Sequence, residues 1–140
     1  MTTETTADSI NTLVRFCARR DIPALTRAAL QAATGTVADV AILFCGTILA
    51  GADVFADAMR EHVASRYMIV GGQGHTTGAL RRSLRECMGW DDIESSTEAA
   101  LLNRYLRERH GLTAGLLEHG STNCGSNARN AVAGRGTRGG

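Results

Sequence analysis

Tyr67-Met68-Ile69-Val70-Gly71-Gly72-Gln73-Gly74-His75-Thr76-Thr77 is the stretch that decides the fold. A short apolar run drops into two adjacent glycines, a third follows after one residue, and then helical spacing begins. That is the layout of a strand ending in a tight, backbone-exposing turn that feeds a helix N-terminus. In open α/β sheets such turns hold small anionic ligands, because free N–H groups and the helix dipole both favour negative charge. A glycine turn alone is equally well read as simple strand-to-helix punctuation.

Working outward, Asp39 leads into Val40-Ala41-Ile42-Leu43-Phe44, a continuous apolar run suited to a strand covered on both faces. The strand is expected over Val37 to Cys45, ending at Gly46-Thr47. A helix is predicted from Asp53 to Ala64, with Val54, Phe55, Ala58, Met59, His62 and Val63 inward. The second strand is expected over Tyr67 to Val70. Its helix is expected from Thr77 to Cys87, with Leu80 and Leu84 inward and Arg81, Arg82 and Arg85 outward. Trp90 to Ser96 reads as a polar connector. Ser95 to Glu98 has the Ser-x-x-Glu pattern of a capping box before a helix whose Leu101, Leu102, Tyr105 and Leu106 share a face, stopped by Gly111. Leu112 to Glu118 is a third strand, weakened by Gly115, and Ser126 to Val132 starts a last helix.

Ahead of the first strand, residues 1–7 read as a disordered lead, and Asp8 or Ser9 as the cap of a helix with Ile10, Leu13, Val14 and Cys17 in one stripe, closed by Arg19-Arg20. Pro23 suits the first turn of a second helix, Ala24 to Ala33, ended by Gly35. Residues 133–140, Gly- and Arg-rich, read as a disordered tail. Strands alternating with helices predict one α/β domain over 8–132, with a parallel sheet and helices on both faces.

Composition narrows the function. The chain has 140 residues, 44% hydrophobic and 21% charged, with a formal net charge of +1, so nothing suggests nucleic-acid or membrane-surface binding. All 15 basic residues are arginine, which excludes a phosphate-binding lysine of the Walker type. Cys17, Cys45, Cys87 and Cys124 form no Cys-x-x-Cys pair, so a zinc knuckle is not expected; reduced thiols fit a cytoplasmic protein, with Cys17 and Cys87 read as small buried hydrophobes. No signal peptide is read at the N-terminus, and the longest apolar run, Val40 to Cys45, is too short to span a bilayer.

In a parallel sheet all strand C-termini share one edge, so three loops should converge: Cys45-Gly46-Thr47, the glycine turn, and Glu118 to Asn127. His75 is a ligand contact or general base by position, with a packing role as its competitor. Ser121, Thr122 and Asn123 are good N-cap residues as well as good ligand contacts. Glu98 is a capping carboxylate or a ribose contact, and His119 is ambiguous. His62 and His110 sit on helix faces and read as packing residues. No Gly-x-Ser-x-Gly elbow or His-Glu-x-x-His is present, and no nucleophile is singled out, which weighs against a Cys- or His-based hydrolase.

With these blocks in order, the chain resembles the YdcF-like family, the domain of unknown function 218. The resemblance runs over residues 37–130 and rests on Ala38-Asp39-Val40-Ala41-Ile42-Leu43-Phe44 with Gly46, on Ile69 to Thr77, on Thr97-Glu98-Ala99, and on Glu118 to Ala128. It implies a Rossmann-like three-layer α/β sandwich with a parallel sheet. It also implies a nucleotide-like ligand, S-adenosylmethionine among the candidates, at the strand C-terminal edge. The implied ligand-binding residues are Gly46, Thr47, Gly71, Gly72, Gly74, His75, Thr76, Glu98, Ser121, Thr122, Asn123 and Asn127. Anchored relatives imply a link to the bacterial envelope, although no such anchor is expected here. Cys45-Gly46-Thr47 departs from the Gly-Gly-Ser or Gly-Asn turn of relatives. The family also continues beyond the Asn127 helix into further strands, so the domain is expected to be truncated, with three strands present. An exposed sheet edge would then favour self-association or a partner chain, giving an interaction protein as the alternative to a ligand-binding one.

Overall fold

The structure, a computed structural model, describes residues 5–134. Helices α1 (Thr6–Cys17) and α2 (Arg27–Thr34) precede strand β1 (Ala38–Phe44). Then come α3 (Ala50–Arg60), β2 (Ala64–Val70), α4 (Thr77–Met88), α5 (Glu98–Tyr105) running into a π-helical turn (Leu106–His110), β3 (Leu116–Glu118) and α6 (Cys124–Gly134). The strands form one parallel sheet in the order β1-β2-β3, with Ile42 beside Met68 and Met68 beside Leu116. The chain is thus a mixed α/β protein compatible with a Rossmann-like sandwich.

The two faces of the sheet are covered unequally. Ala41, Leu43, Tyr67, Ile69 and Leu117 point to one face, where α3 and α5 pack and Leu80 and Leu84 of α4 join the same core. Two crossovers of one hand in one direction put their helices on one side. The other face carries Val40, Ile42, Met68, Val70 and Leu116, and α6 reaches it through Ala131. There α6 packs on β3 and β2, while Val40 and Ile42 stay half-buried and Phe44 is 50% exposed.

Helix α3 starts earlier than its stripe predicts, and its buried set is Ala52, Phe55, Ala56, Ala58 and Met59. Val54 faces solvent, and His62 lies beyond the helix in a turn with φ 52, so neither joins the core. Asp53 instead ties α3 to the π-helical turn. Its Oδ1 accepts from Tyr105 at 2.9 Å and from His110 Nε2 at 2.7 Å, while Arg60 lies 3.1 Å from His110 Nδ1. The arginine can only donate, so Nδ1 accepts and Nε2 carries the proton. Burial works against the Asp53 charge, but these two hydrogen bonds outweigh it and hold its carboxyl below the usual range.

Several predicted boundaries shift because a different residue supplies the cap. Thr5 caps α1 and Asp8 completes its capping box, so residues 5–7 are ordered rather than a disordered lead. Arg19 and Arg20 lie past the helix end. Thr26 caps α2 by accepting from Ala29, which leaves Pro23 in the connector, while Gly35 closes the helix in the left-handed region at φ 79. The α5 cap is Thr97, not Ser95, and it accepts from Ala100. Helix α6 begins at Cys124, and β3 is only the last three residues of the predicted strand. Trp90 and Ile93 in the connector are buried; the indole donates to Glu108 and lies under the Arg104 guanidinium at 4.1 Å. Cys17 and Cys87 are exposed rather than buried: α1 buries no residue, and Cys87 stands in the last turn of α4, beyond Leu84, the last buried residue of that helix. Residues 1–4 and 135–140 of the predicted lead and tail lie outside the described residues, whereas Ala133 and Gly134 belong to α6.

Candidate functional site

Parallel pairing brings the carboxyl ends of all three strands to one edge, and the loops there interlock. Gly71 N–H continues the ladder by donating to the Glu118 carbonyl at 3.0 Å, and Gly72 N–H donates to the Ser121 carbonyl at 2.9 Å. In return, Glu98 N–H and Ala99 N–H at the start of α5 donate to the carbonyls of Gly72 and Gly71 at 2.8 and 2.9 Å. The glycines are there because nothing larger fits. A β-carbon on Gly72 would overlap the carbonyl oxygens of Ser121 and His119, and one on Gly71 would lie 2.6 Å from Cys45 Cβ. Gly74 is close to the Thr122 carbonyl, 3.0 Å from where its β-carbon would stand.

Two carboxylates pin these loops. Glu98, 9% exposed, accepts from Thr77 Oγ1 at 2.7 Å, and Thr77 Oγ1 itself accepts from Gly74 N–H at 2.8 Å. The other Glu98 oxygen has no hydrogen-bond partner among the described residues and is not sealed from solvent. Glu98 is therefore no capping-box carboxylate; it reaches under the glycine turn. Glu118 holds the third loop by accepting from Gly120 N–H at 2.6 Å, from Asn130 Nδ2 at 3.2 Å and from Ser121 Oγ. Ser121 is 2% exposed and also accepts from Asn130 at 3.1 Å.

The remaining candidates divide clearly. Asn123 caps α6, its Oδ1 accepting from Ser126 N–H at 3.0 Å. Asn127 lies one turn into that helix and is half-buried. His75, Thr76 and Thr122 are exposed at the loop tips; Thr76 occupies the α4 cap position without a side-chain cap bond. Gly46 is exposed with nothing near its missing β-carbon, so no close approach explains that glycine. Gly46 and Thr47 instead border an open groove of about 470 Å³ at the end of β1, lined also by Leu43, Phe44, Ile48 and Leu102. Leu102 is one turn along α5 from Glu98, so groove and carboxylate are neighbours on the same edge.

The electrostatics differ from a phosphate cradle. The amides of Gly71, Gly72 and Gly74 are consumed by the loops, leaving Gln73, His75 and Thr76 as backbone donors in the turn. None of the three loops contains an arginine. Cys45 sits beside Gly71; burial first, then the charges of Glu98 and Glu118, push its thiol far above the ordinary range. In the native chain, iodoacetamide at pH 8 should therefore modify exposed Cys17, Cys87 and Cys124 and spare Cys45 until the protein is unfolded, as read by mass spectrometry. Rapid native labelling of Cys45 would show that this edge is not packed as described.

Sequence reasoning placed Thr77 and Glu118 in the converging stretches without giving either a role, and gave none to Thr97 or Asn130. Thr97 Oγ1 lies 2.6 Å from His119 Nδ1; that hydroxyl also caps α5, and among the described residues no third group bonds the imidazole. Among the described residues no group of three or more His, Cys, Asp or Glu could hold a metal ion, and no helix is long and apolar enough to cross a membrane. No protein-family model matches the chain, and no curated protein is significantly similar to it.

Proposed function

We propose that the chain is a YdcF-like α/β protein that binds a small nucleoside-bearing ligand, S-adenosylmethionine being the type, at the carboxyl edge of its sheet. The observation that carries this reading is Glu98: a nearly buried carboxylate with one oxygen fixed by Thr77 and the other unpartnered at the strand ends. A carboxylate so placed accepts from paired ribose hydroxyls, as acidic residues do in dinucleotide-binding sheets. The apolar groove beside it, between Leu43, Phe44, Ile48 and Leu102, has the size and character to take a flat base. Two carboxylates and no arginine favour a ligand carrying positive charge, such as a sulfonium with an amino-acid tail, over a polyphosphate.

Titration calorimetry with S-adenosylmethionine, adenosine and ATP tests this order. S-adenosylmethionine and adenosine should bind, ATP at least about tenfold more weakly, and Glu98→Ala should lose about 1.4 kcal/mol or more of adenosine affinity, a factor of ten. Tighter binding of ATP than of adenosine, or unchanged affinity in Glu98→Ala, would overturn the reading.

A further inference from the structure

The helical spacing of α4 places Arg81 outward with Arg82 and Arg85, yet its side chain is only 12% exposed. The guanidinium lies against the connector between α4 and α5. Its Nε donates to the Ile93 carbonyl at 3.1 Å and its Nη2 to the Ser96 carbonyl at 3.0 Å, while Nη1 lies 3.9 Å from Glu94. The Ile93 carbonyl also accepts from Ser96 N–H at 3.3 Å, which closes a tight turn over 93–96. The planar fork of the arginine grips both ends of that turn.

The turn delivers the chain to Glu98. Ser96 precedes Thr97, the α5 cap, and Glu98 follows it. On α4, Arg81 stands one turn beyond Thr77, which fixes one Glu98 oxygen at 2.7 Å. One face of α4 therefore holds both the carboxylate and the backbone that carries it. The glycine turn adds a lighter hold, Gln73 Nε2 donating to the Ser95 carbonyl at 3.1 Å in an exposed position. The two Arg81 bonds are part-buried, where a hydrogen bond competes less with water. Ile93, fully buried, already anchors the connector to the core, so what Arg81 adds is the direction in which residues 96–98 leave it.

We propose that Arg81 is the positioning residue of the strand-end site, setting where Glu98 stands without itself touching the ligand. Its effect on ligand affinity rests on the nucleoside reading of Glu98; its effect on the backbone of residues 96–99 does not.

Arg81→Met removes the fork and keeps an apolar stem. Amide hydrogen exchange of the whole chain, followed residue by residue, should show Glu98 and Ala99 exchanging at least about tenfold faster relative to the β1–β2 ladder, because the segment opens while the sheet stays closed. Adenosine should bind the variant at least about tenfold more weakly, the lower end of what outer partners contribute to the group they orient. Arg82→Met, at the exposed neighbouring position, should change neither. If Arg81→Met does not fold, Arg81→Lys, which keeps the charge and loses the planar fork, carries the same comparison. Exchange that rises equally at Glu98, Ala99 and the ladder would make Arg81 an ordinary stability contact and overturn the proposal, as would wild-type exchange at Glu98 and Ala99. So would unchanged adenosine affinity beside locally faster exchange. If the wild-type chain binds no adenosine, the nucleoside reading fails and the exchange pattern alone decides the role of Arg81.

Discussion

Replacing Gly72 by alanine is expected to lower stability by about 3 kcal/mol or more, or roughly 10 °C in Tm, the largest effect of a methyl group at any described glycine. Gly72 does not have a positive φ, so its requirement is steric rather than conformational. Its N–H is bonded to the Ser121 carbonyl and its own carbonyl to Glu98 N–H, so the peptide cannot retreat without breaking a bond. The obstacles are the backbone oxygens of Ser121 and His119, which lack the freedom of a side-chain end. Gly46→Ala is the matched control. It adds a methyl group into open space on the same sheet edge and should stay within about 0.5 kcal/mol of wild type. Equal losses in the two variants, measured by urea unfolding, would contradict the interlocked loops.

The second large effect should come from Glu118. Glu118→Ala removes the acceptor for Gly120 N–H, Ser121 Oγ and Asn130 at once. Ser121 is too buried to find water, so the expected loss is about 3 kcal/mol, the scale of hydrogen bonds to a charge plus one stranded donor. Glu118→Gln keeps an acceptor for Gly120 and an amide that can donate to Ser121 Oγ, so it should lose less than half as much. Unfolding midpoints that leave Glu118→Ala at wild-type stability would show that the third loop is held by something else. The two substitutions act on opposite sides of one interface, Gly72 against Ser121, and their effects should add less than fully when combined.

The parts of this fold that could be read from the sequence are those written in local pattern. The unbroken apolar runs marked β1 and β2 as strands, although only β2 buries residues and β1, expected to be covered on both faces, stays half-buried or exposed along its length; Leu101, Leu102, Tyr105 and Leu106 marked the buried face of α5 and the turn after it. Convergence of the three loops followed from parallel topology alone. What stayed hidden depends on contacts far apart in sequence. The glycine turn reads as a donor-rich anion cradle until β3 is set beside β2, whereupon the amides of Gly71 and Gly72 are seen to be taken by Glu118 and Ser121. Glu98 reads as a capping carboxylate because its partner, Thr77, lies 21 positions away on another helix. Asn130 gave no signal, since a polar residue in a terminal helix reads as solvent-facing. Cys17 and the α1 stripe misled for the opposite reason: amphipathic spacing was present, but nothing among the described residues covers it.

Amide chemical-shift mapping of the isotope-labelled chain during titration with adenosine tests the proposed nucleoside site at the strand ends, organised by Glu98. Saturable shifts confined to residues 45–49, 73–77 and 97–99 are expected, absent in Glu98→Ala while that variant keeps the native spectrum elsewhere. Shifts centred elsewhere, or the same shifts in Glu98→Ala, would contradict it.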